Sequence, residues 1–509
     1  VWLAEKLAAL LGWEFVMQRH ELRMLRRQLK RLNRNILTQM TNVGLSPLGV
    51  RRNWRRHRDW SRKGFQCYGA SVPLYRIGNR TVEPDPVIDK WLRSSVRWLN
   101  KVNLCQTRRF LVRSTYLEAY SRRVPIRSIK GSLPSPKAAA RSLGLRSANL
   151  GCDPLNFISK YKPSNPTAHP GLTAGKMGYT NKTHSLKFAR KEAADRFLKL
   201  LNDEDIPRDL WGVATRSKLV DFREELLTGN KKYGRVVLMG EAWEPPLVGS
   251  VAYPVTNHLK TRRGPVGLWC SNFKGGTHEL FEYLGKGGND SDTGEFRYLC
   301  GDVSQWDGSL PAQVIKRAVQ VVLLAFREGD DRTRAQAVLK YVENELCSGL
   351  VALPNGEIVQ PPGQMKTGSS MTTLINSIAM QQTVARHLGY DLSMLSFLVY
   401  GDDSIVTFKG IMTHLISVPA WVNAWDHLFG MTMKPQQTFL TSSIRTGPGF
   451  GRGVEFLGYG INDLCQPIRP LHKTIEQVWY PEKSTSDSEA RIEGIIAAAL
   501  VNPFDPPSV

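Results

Sequence analysis

An α+β fold is predicted for this chain of 509 residues on three observations. Two apolar runs, Phe296-Arg-Tyr-Leu-Cys300 and Phe397-Leu-Val-Tyr400, read as strands, and each delivers carboxylates at its end. The first leads into Asp302-Val-Ser-Gln-Trp-Asp307 and the second into Gly401-Asp402-Asp403, so Asp302 and Asp402 stand one hundred positions apart. Between them, Gly363-Gln-Met-Lys-Thr-Gly-Ser-Ser-Met-Thr-Thr-Leu-Ile-Asn376 is a Gly/Ser-rich loop that turns into helical spacing from Ser370 to His387.

The elements follow in chain order. From Trp2 to Leu37, Leu22, Leu25, Leu29, Leu32 and Ile36 recur every three or four positions, with Arg19, Arg23, Arg26, Arg27, Lys30, Arg31 and Arg34 mostly between them. That is a basic amphipathic helix, which can lie on a membrane surface, lie on RNA, or pack its leucines against the rest of the chain. Residues 1–62 read as a basic amphipathic extension that includes the cluster Arg51-Arg-Asn-Trp-Arg-Arg-His-Arg58. Residues 131–182, rich in Pro, Gly and Ser, are expected to be loops. Helical spacing resumes at Ala189, Ala193, Phe197 and Leu200. Ser309-Leu-Pro311 opens an apolar helix from Ala312 to Phe326, and 411–430 reads as one helix. Val454 to Tyr459 reads as a strand of a small hairpin, and Ser486-Asp-Ser-Glu489 as a capping box.

Charge is concentrated. The net charge is +24, and residues 1–150 hold 31 lysines and arginines against 8 acids, so the remainder is nearly neutral. Arginine dominates this part, and its planar fork suits phosphate, so a polyanion is the expected partner; a solvated basic arm is the plain alternative. Seven scattered cysteines with no C-x-x-C pair support neither a disulfide framework nor a zinc knuckle, and fit a reducing compartment. No apolar run approaches the ~18–20 residues of a membrane span. The sequence begins at Val1, as a processed, fused or trimmed chain would.

The chemistry lies in the carboxylates. Asp302, Asp402 and Asp403 are hard oxygen donors on strand ends, and two divalent cations between such groups serve in-line phosphoryl transfer. Two adjacent carboxylates in an apolar hairpin repel each other, and a cation relieves that. Taken alone, either an acidic loop or an Asp-containing turn is ordinary; their order along the chain is not. Asp307 can accept from a sugar hydroxyl, and Gly308 after it leaves room for a 2′-OH. Gly368 permits an unusual loop shape, and Thr372 and Asn376 share one helix face as a sugar-reading surface. Arg216, Lys218, Lys231, Lys232 and Arg235 are placed to neutralise a triphosphate, and Lys434 to protonate a leaving pyrophosphate.

On these residues the chain resembles viral RNA-directed RNA polymerases, those of positive-strand RNA viruses in particular, across about 211–461. The resemblance implies Asp302, Asp402 and Asp403 as metal ligands, Asp307 and Asn376 as ribose readers, and Arg235 as the triphosphate-binding arginine. Thr367-Gly368-x3-Thr372-x3-Asn376 departs from the family's pattern by a threonine in place of serine, which keeps the hydroxyl. The Lys-Lys-Tyr-Gly-Arg235 spacing also differs from the commoner Lys-x-Arg form, and Leu172-Thr-Ala-Gly175 matches the template-entry loop weakly.

The implied fold is a right hand with an antiparallel palm sheet backed by helices. Its fingers would fall in 63–295 with part of the palm, the palm in 296–461, and a short or truncated thumb in 462–509. The implied cofactors are two Mg²⁺ or Mn²⁺ ions. The implied partners are RNA template and product, ribonucleoside triphosphates, other viral replication proteins and a membrane surface, in the host cytoplasm. A reverse transcriptase is the nearest alternative, disfavoured by Gly308, Asn376 and Gly401. An RNA-binding scaffold of a replication complex is the alternative from another class.

Overall fold

The computed structural model describes residues 129–469 apart from 131, 217–219, 222–234, 272–274, 287–295, 354–355, 388–395, 411, 435–436 and 448–450, together with two strands, Gln66–Ala70 and Arg108–Arg109. The basic helix of 2–37, the 51–58 cluster, Lys232 and the capping box at 486–489 lie outside these residues. Among the described residues no helix is long and apolar enough to cross a membrane.

The strands are β1 (Gln66–Ala70), β2 (Arg108–Arg109), β3 (Leu210–Arg216), β4 (Val220–Asp221), β5 (Arg235–Met239), β6 (Phe296–Asp302), β7 (Leu350–Ala352), β8 (Glu357–Gln360), β9 (Ser396–Tyr400), β10 (Asp403–Lys409), β11 (Phe439–Thr441), β12 (Gly460–Ile461) and β13 (Pro467–Ile468). Two larger sheets result, in the orders β1-β8-β7-β3-β5 and β11-β6-β10-β9. The second is antiparallel throughout, whereas the first contains one parallel pair, β3 with β7. Helices and sheets thus mix as the α+β expectation requires.

Alternation along the four-stranded sheet explains its place in the molecule, because successive side chains point to opposite faces. Leu299, Phe397, Val399, Val406 and Phe408 join one core with the helices Ala312–Leu323, Thr372–His387 and Val418–Phe429. Tyr298, Cys300, Leu398 and Ile405 join another with Leu280, Leu284, Val454, Phe456 and Ile461. Both faces are therefore covered, and the acidic strand ends emerge at one edge of a closed sandwich.

The helix Val418–Phe429 shows how the backing is encoded. Trp421, Trp425 and Phe429, four residues apart, are at most 1% exposed. They meet Phe408 and Trp306 at ring distances of 6.0 and 6.4 Å, and full burial is worth about 1.5–3 kcal/mol for a large apolar side chain. Ser417 caps the N-terminus by accepting from the Ala420 N–H, and Gly430 closes the other end at φ +64°. The single helix expected over 411–430 is split here into Met412–Leu415 and Val418–Phe429. Pro419, at the second helical position, suits a helix start, whereas inside a continuous helix it would remove a backbone hydrogen bond and crowd the carbonyl four residues back.

Residues 131–182, expected as loops, hold three short helices: Pro136–Ser142, Pro154–Lys160 and Leu172–Lys176. Ser135 and Asp153 each accept an N-cap hydrogen bond immediately before a proline at the first position.

Between the helices Leu186–Leu201, Glu244–Lys260 and Asp330–Ser348 and strand β3 lies a buried charged network. Asp209 pairs with Arg196 at 3.2 Å and accepts from Trp243 Nε1 and the Tyr341 hydroxyl. The Arg196 guanidinium also stacks 4.3 Å over the Trp243 ring. Removing one partner of such a pair strands the other without compensation, a loss of about 3–5 kcal/mol. Arg196→Met should lower the unfolding free energy by that amount in chemical denaturation, and adding Asp209→Asn should recover part of it.

Candidate active site

The site is set by strand register. In the β6–β10 ladder Asp302 stands directly opposite Asp403, and in the β9–β10 hairpin Asp403 pairs with Tyr400. Directly opposed residues of an antiparallel pair lie only about 4.5–5.5 Å apart at Cα, so these two carboxylates leave neighbouring strand ends side by side. Asp402 occupies the two-residue turn behind Gly401, whose φ of +63° is the left-handed value that tight hairpin turns demand.

Two backbone elements hold this edge. The segment after the helix Val418–Phe429 runs beside β6: Val303 bridges Met433, and Lys434 N–H donates to Asp302 C=O at 2.9 Å. That pairing brings Lys434 Nζ to 2.6 Å from Asp302 Oδ2. Asp302 Oδ1 is buried and has no hydrogen-bond partner among the described residues. On the far side, a tight turn over Phe456–Tyr459 points the Leu457 N–H at the Asp403 carboxylate. Leu457 takes φ +54°, a region that costs a side-chain-bearing residue energy and is often held at functional sites. Val454–Tyr459, expected as a hairpin strand, is this turn with a single bridge.

Burial, then Asp402 and Asp302, push the Asp403 carboxyl up to about 7, against the opposing pull of Lys434 and the Leu457 N–H. Among the described residues, no three His, Cys, Asp or Glu side chains form a ready-made metal cage. The donor set nevertheless suits hard divalent cations: it is all carboxylate, mutually repelling, and has an orphaned buried oxygen at Asp302.

A second group lies beside it. Gln305, at φ +51°, turns the chain into the one-turn helix Trp306–Ser309, which carries Asp307. Asn376 Nδ2 donates to Asp307 Oδ1 at 2.6 Å, and Met365 N–H donates to Asp307 C=O at 2.8 Å. The expected ribose pair is thus in contact, with Asn376 Oδ1 buried and without a partner among the described residues. Thr372, on the same helix, donates its hydroxyl to the carbonyls of Lys366 and Ser369, so its proton is spent holding the loop. Gly368 packs on β5 so closely that a Cβ would lie 2.1 Å from Leu238 C=O. That close approach, rather than a left-handed φ, is why glycine stands there.

Of the basic residues upstream, Lys218, Lys231 and Lys232 lie outside the described residues. Arg216 and Arg235 are register partners across β3 and β5, at one end of the five-stranded sheet. Sequence reading missed Ser377, whose Oγ accepts from the Gly401 N–H at 2.9 Å and donates to Thr373 C=O. Consecutive residues of one helix therefore tie Asp307 and the acidic turn to the same scaffold.

Residues 258–500, just under half of the chain, match the family model of viral RNA-dependent RNA polymerase. Asp302, Asp307, Gly368, Thr372, Asn376, Asp402, Asp403 and Lys434 fall inside that span, whereas Arg216, Lys232 and Arg235 precede it. A stretch of 163 residues is 24% identical to the non-structural polyprotein 1AB of Avian nephritis virus 1, covering 29% of this chain and 11% of the polyprotein. The chain thus spans about a tenth of that relative's length.

A carboxyl raised to about 7 keeps its proton in the folded chain but loses it near pH 4 when unfolded. Its contribution to stability is therefore full below about pH 4 and is lost as pH rises through 7. In metal-free buffer, unfolding free energy should fall by roughly 2–4 kcal/mol over that window on account of Asp403. Asp403→Asn should remove that part of the slope, leaving the part due to Glu241 and Glu345, both pushed up to about 8 by burial. Added Mg²⁺ should raise stability at pH 7.5 in the parent chain and not in the variant.

Proposed function

We propose, from the premise that residues 258–500 form a viral RNA-dependent RNA polymerase domain, that the chain extends an RNA 3′ end on an RNA template. The observation that carries this reading is the cross-strand pairing of Asp302 with Asp403, with Asp402 in the adjoining turn. In the reaction, the 3′-hydroxyl oxygen bonds to the α-phosphorus of an incoming ribonucleoside triphosphate, the bond to the β-phosphate oxygen breaks, and pyrophosphate leaves.

Asp302, Asp402 and Asp403 would hold two Mg²⁺ or Mn²⁺ ions. When bound, these supply charge neutralisation at the attacking hydroxyl and at the leaving pyrophosphate. Lys434 rests on Asp302 Oδ2; a ligand competing for that oxygen frees its Nζ to give a proton to the pyrophosphate. Asp307 accepts from the ribose hydroxyls and Asn376 orients it, a pairing supported by their 2.6 Å hydrogen bond. Gly368 and Thr372 shape the loop beneath the nucleotide. Arg235, Lys232 and Arg216 neutralise the triphosphate.

On this reading the molecule is a right hand: fingers in 63–295 with part of the palm, palm in 296–461, and thumb residues from 462 onward. Residues 1–62 form a basic arm for RNA or a membrane surface. Its partners are template and product RNA, ribonucleotides and other viral replication proteins, in the cytoplasm of the host cell.

The purified chain on a homopolymeric RNA template should incorporate ribonucleotides in the presence of Mg²⁺ or Mn²⁺. Chelation by EDTA, or Asp402→Ala with Asp403→Ala, should reduce incorporation at least about a thousandfold. Preference for deoxynucleotides would move the reading to reverse transcription. A folded, RNA-binding chain inert with both would favour the scaffold.

A further inference from the structure

We infer that Glu244 is a positioning residue for nucleotide selection, a buried carboxylate that latches the loop between Met365 and Thr372 in the shape that presents Asp307 and Asn376 to the ribose. The inference rests on the polymerase reading. Glu244 opens the helix Glu244–Lys260 and is 1% exposed. Its Oε1 accepts from Ser369 Oγ at 2.8 Å and from the Ser370 N–H at 2.9 Å, and its Oε2 accepts from Ser370 Oγ at 2.9 Å. Burial raises the carboxyl's pKa, and these three donors, with Lys182, oppose that rise only in part, so the net shift is upward. Charge-assisted hydrogen bonds of this kind are about twice as strong as neutral ones.

The opposite side of the loop is fastened to β5. Leu238 N–H donates to Thr367 Oγ1 at 2.9 Å, and Gly368 lies against the Leu238 carbonyl with no room for a Cβ. The loop is therefore gripped between a strand that begins at Arg235 and a helix that begins at Glu244. Its two ends are fastened to the nucleotide-facing pair. Met365 N–H donates to Asp307 C=O, and the helix that follows carries Asn376 on Asp307 Oδ1. Releasing the Glu244 side frees the loop to move as a unit, and the Asp307–Asn376 geometry with it, without touching the carboxylates of the metal site.

A carboxylate is suited to this task because it only accepts. Both serine hydroxyls are forced to donate inward, which fixes their direction. Glutamine in its place presents one acceptor oxygen to Ser369 Oγ and the Ser370 N–H, and an NH₂ to the Ser370 hydroxyl, so it retains part of the grip. Alanine retains none.

The test is steady-state incorporation by the full chain, with parallel ribonucleotide and deoxynucleotide series, for the parent, Glu244→Gln, Glu244→Ala and the double variant Ser369→Ala/Ser370→Ala. The double variant removes two of the latch's hydroxyl donors from half-exposed and exposed positions and leaves the helix core intact, so it carries the test if Glu244→Ala fails to fold. The expected result is a rise in KM for ribonucleotides of about tenfold in Glu244→Ala, a smaller rise in kcat cost, and a ribose preference lowered by a similar factor, with Glu244→Gln between it and the parent. The double variant should reproduce the shift in part. Variants that fold, bind RNA as the parent does and keep its KM and ribose preference would overturn the inference while leaving the polymerase reading intact. A parent chain that incorporates neither nucleotide would overturn the reading and the inference together.

Discussion

The register between β6 and β10 is the constraint on which the rest of the site depends. It sets Asp302 opposite Asp403 with Asp402 one residue away, and so concentrates like charge at the end of two apolar strands. A slip of one residue would turn every side chain of β10 to the other face. Val406 and Phe408 would leave the helix-backed core, and Ile405 would enter it. Register is fixed because both faces are buried, and the carboxylates inherit their positions from that packing. What resists their repulsion is equally local: Lys434 on one side, held by the Val303–Met433 bridge, and the Leu457 N–H on the other, held in a strained turn.

A second set of buried acids lies away from that edge and is handled differently. Asp209 is met by Arg196, Tyr341 and Trp243; Glu345 by Trp211 Nε1 and the Asp209 N–H; Glu241 by the Thr173 N–H and hydroxyl. Here each buried carboxylate has its donors within the chain, as structural acids must. At the strand ends, Asp302 Oδ1 has none among the described residues. The contrast is confined to that one oxygen, since Asp302 Oδ2 meets Lys434 and Asp403 meets the Leu457 N–H, and it supports the proposal that a ligand from outside completes the strand-end site.

What was legible in the sequence was whatever repeats or punctuates locally. The apolar strands, the tight turn at Gly401, and the helix bearing Asn376 follow from periodicity and turn chemistry over a dozen residues, and Asp302, Asp307, Asp402 and Asp403 came with them. The helices at Pro136 and Pro154 were readable in principle, since Ser-Pro and Asp-Pro are start signals, but proline content pointed to loops. Glu244, Ser377 and Leu457 were not readable. Their importance arises from partners far away in sequence, Ser369 and Ser370 for the first, Gly401 for the second and Asp403 for the third. No local pattern encodes a contact of that span. Arg216 and Arg235 fall between these cases: their clustering was visible, and the β3–β5 register brings their backbones together.

The helix Thr372–His387 links these levels. Most of its middle is buried on every side, which is unusual for a helix carrying Asn376, Ser377, Gln381, Gln382 and Thr383, all at most 5% exposed. Burying polar groups costs free energy unless they are hydrogen-bonded, so such a helix is favoured only where its polar atoms do something apolar ones cannot. Asn376 grips Asp307, Ser377 grips the Gly401 turn, and Thr372 closes the loop that Glu244 holds. One rigid element thus measures the distance between the group expected to read the sugar and the group expected to hold the metals. Each is kept in place relative to the other even though they sit on separate strands and turns. An all-leucine helix would fill the same space with less strain on hydrogen bonding, and would leave the two groups free to drift apart.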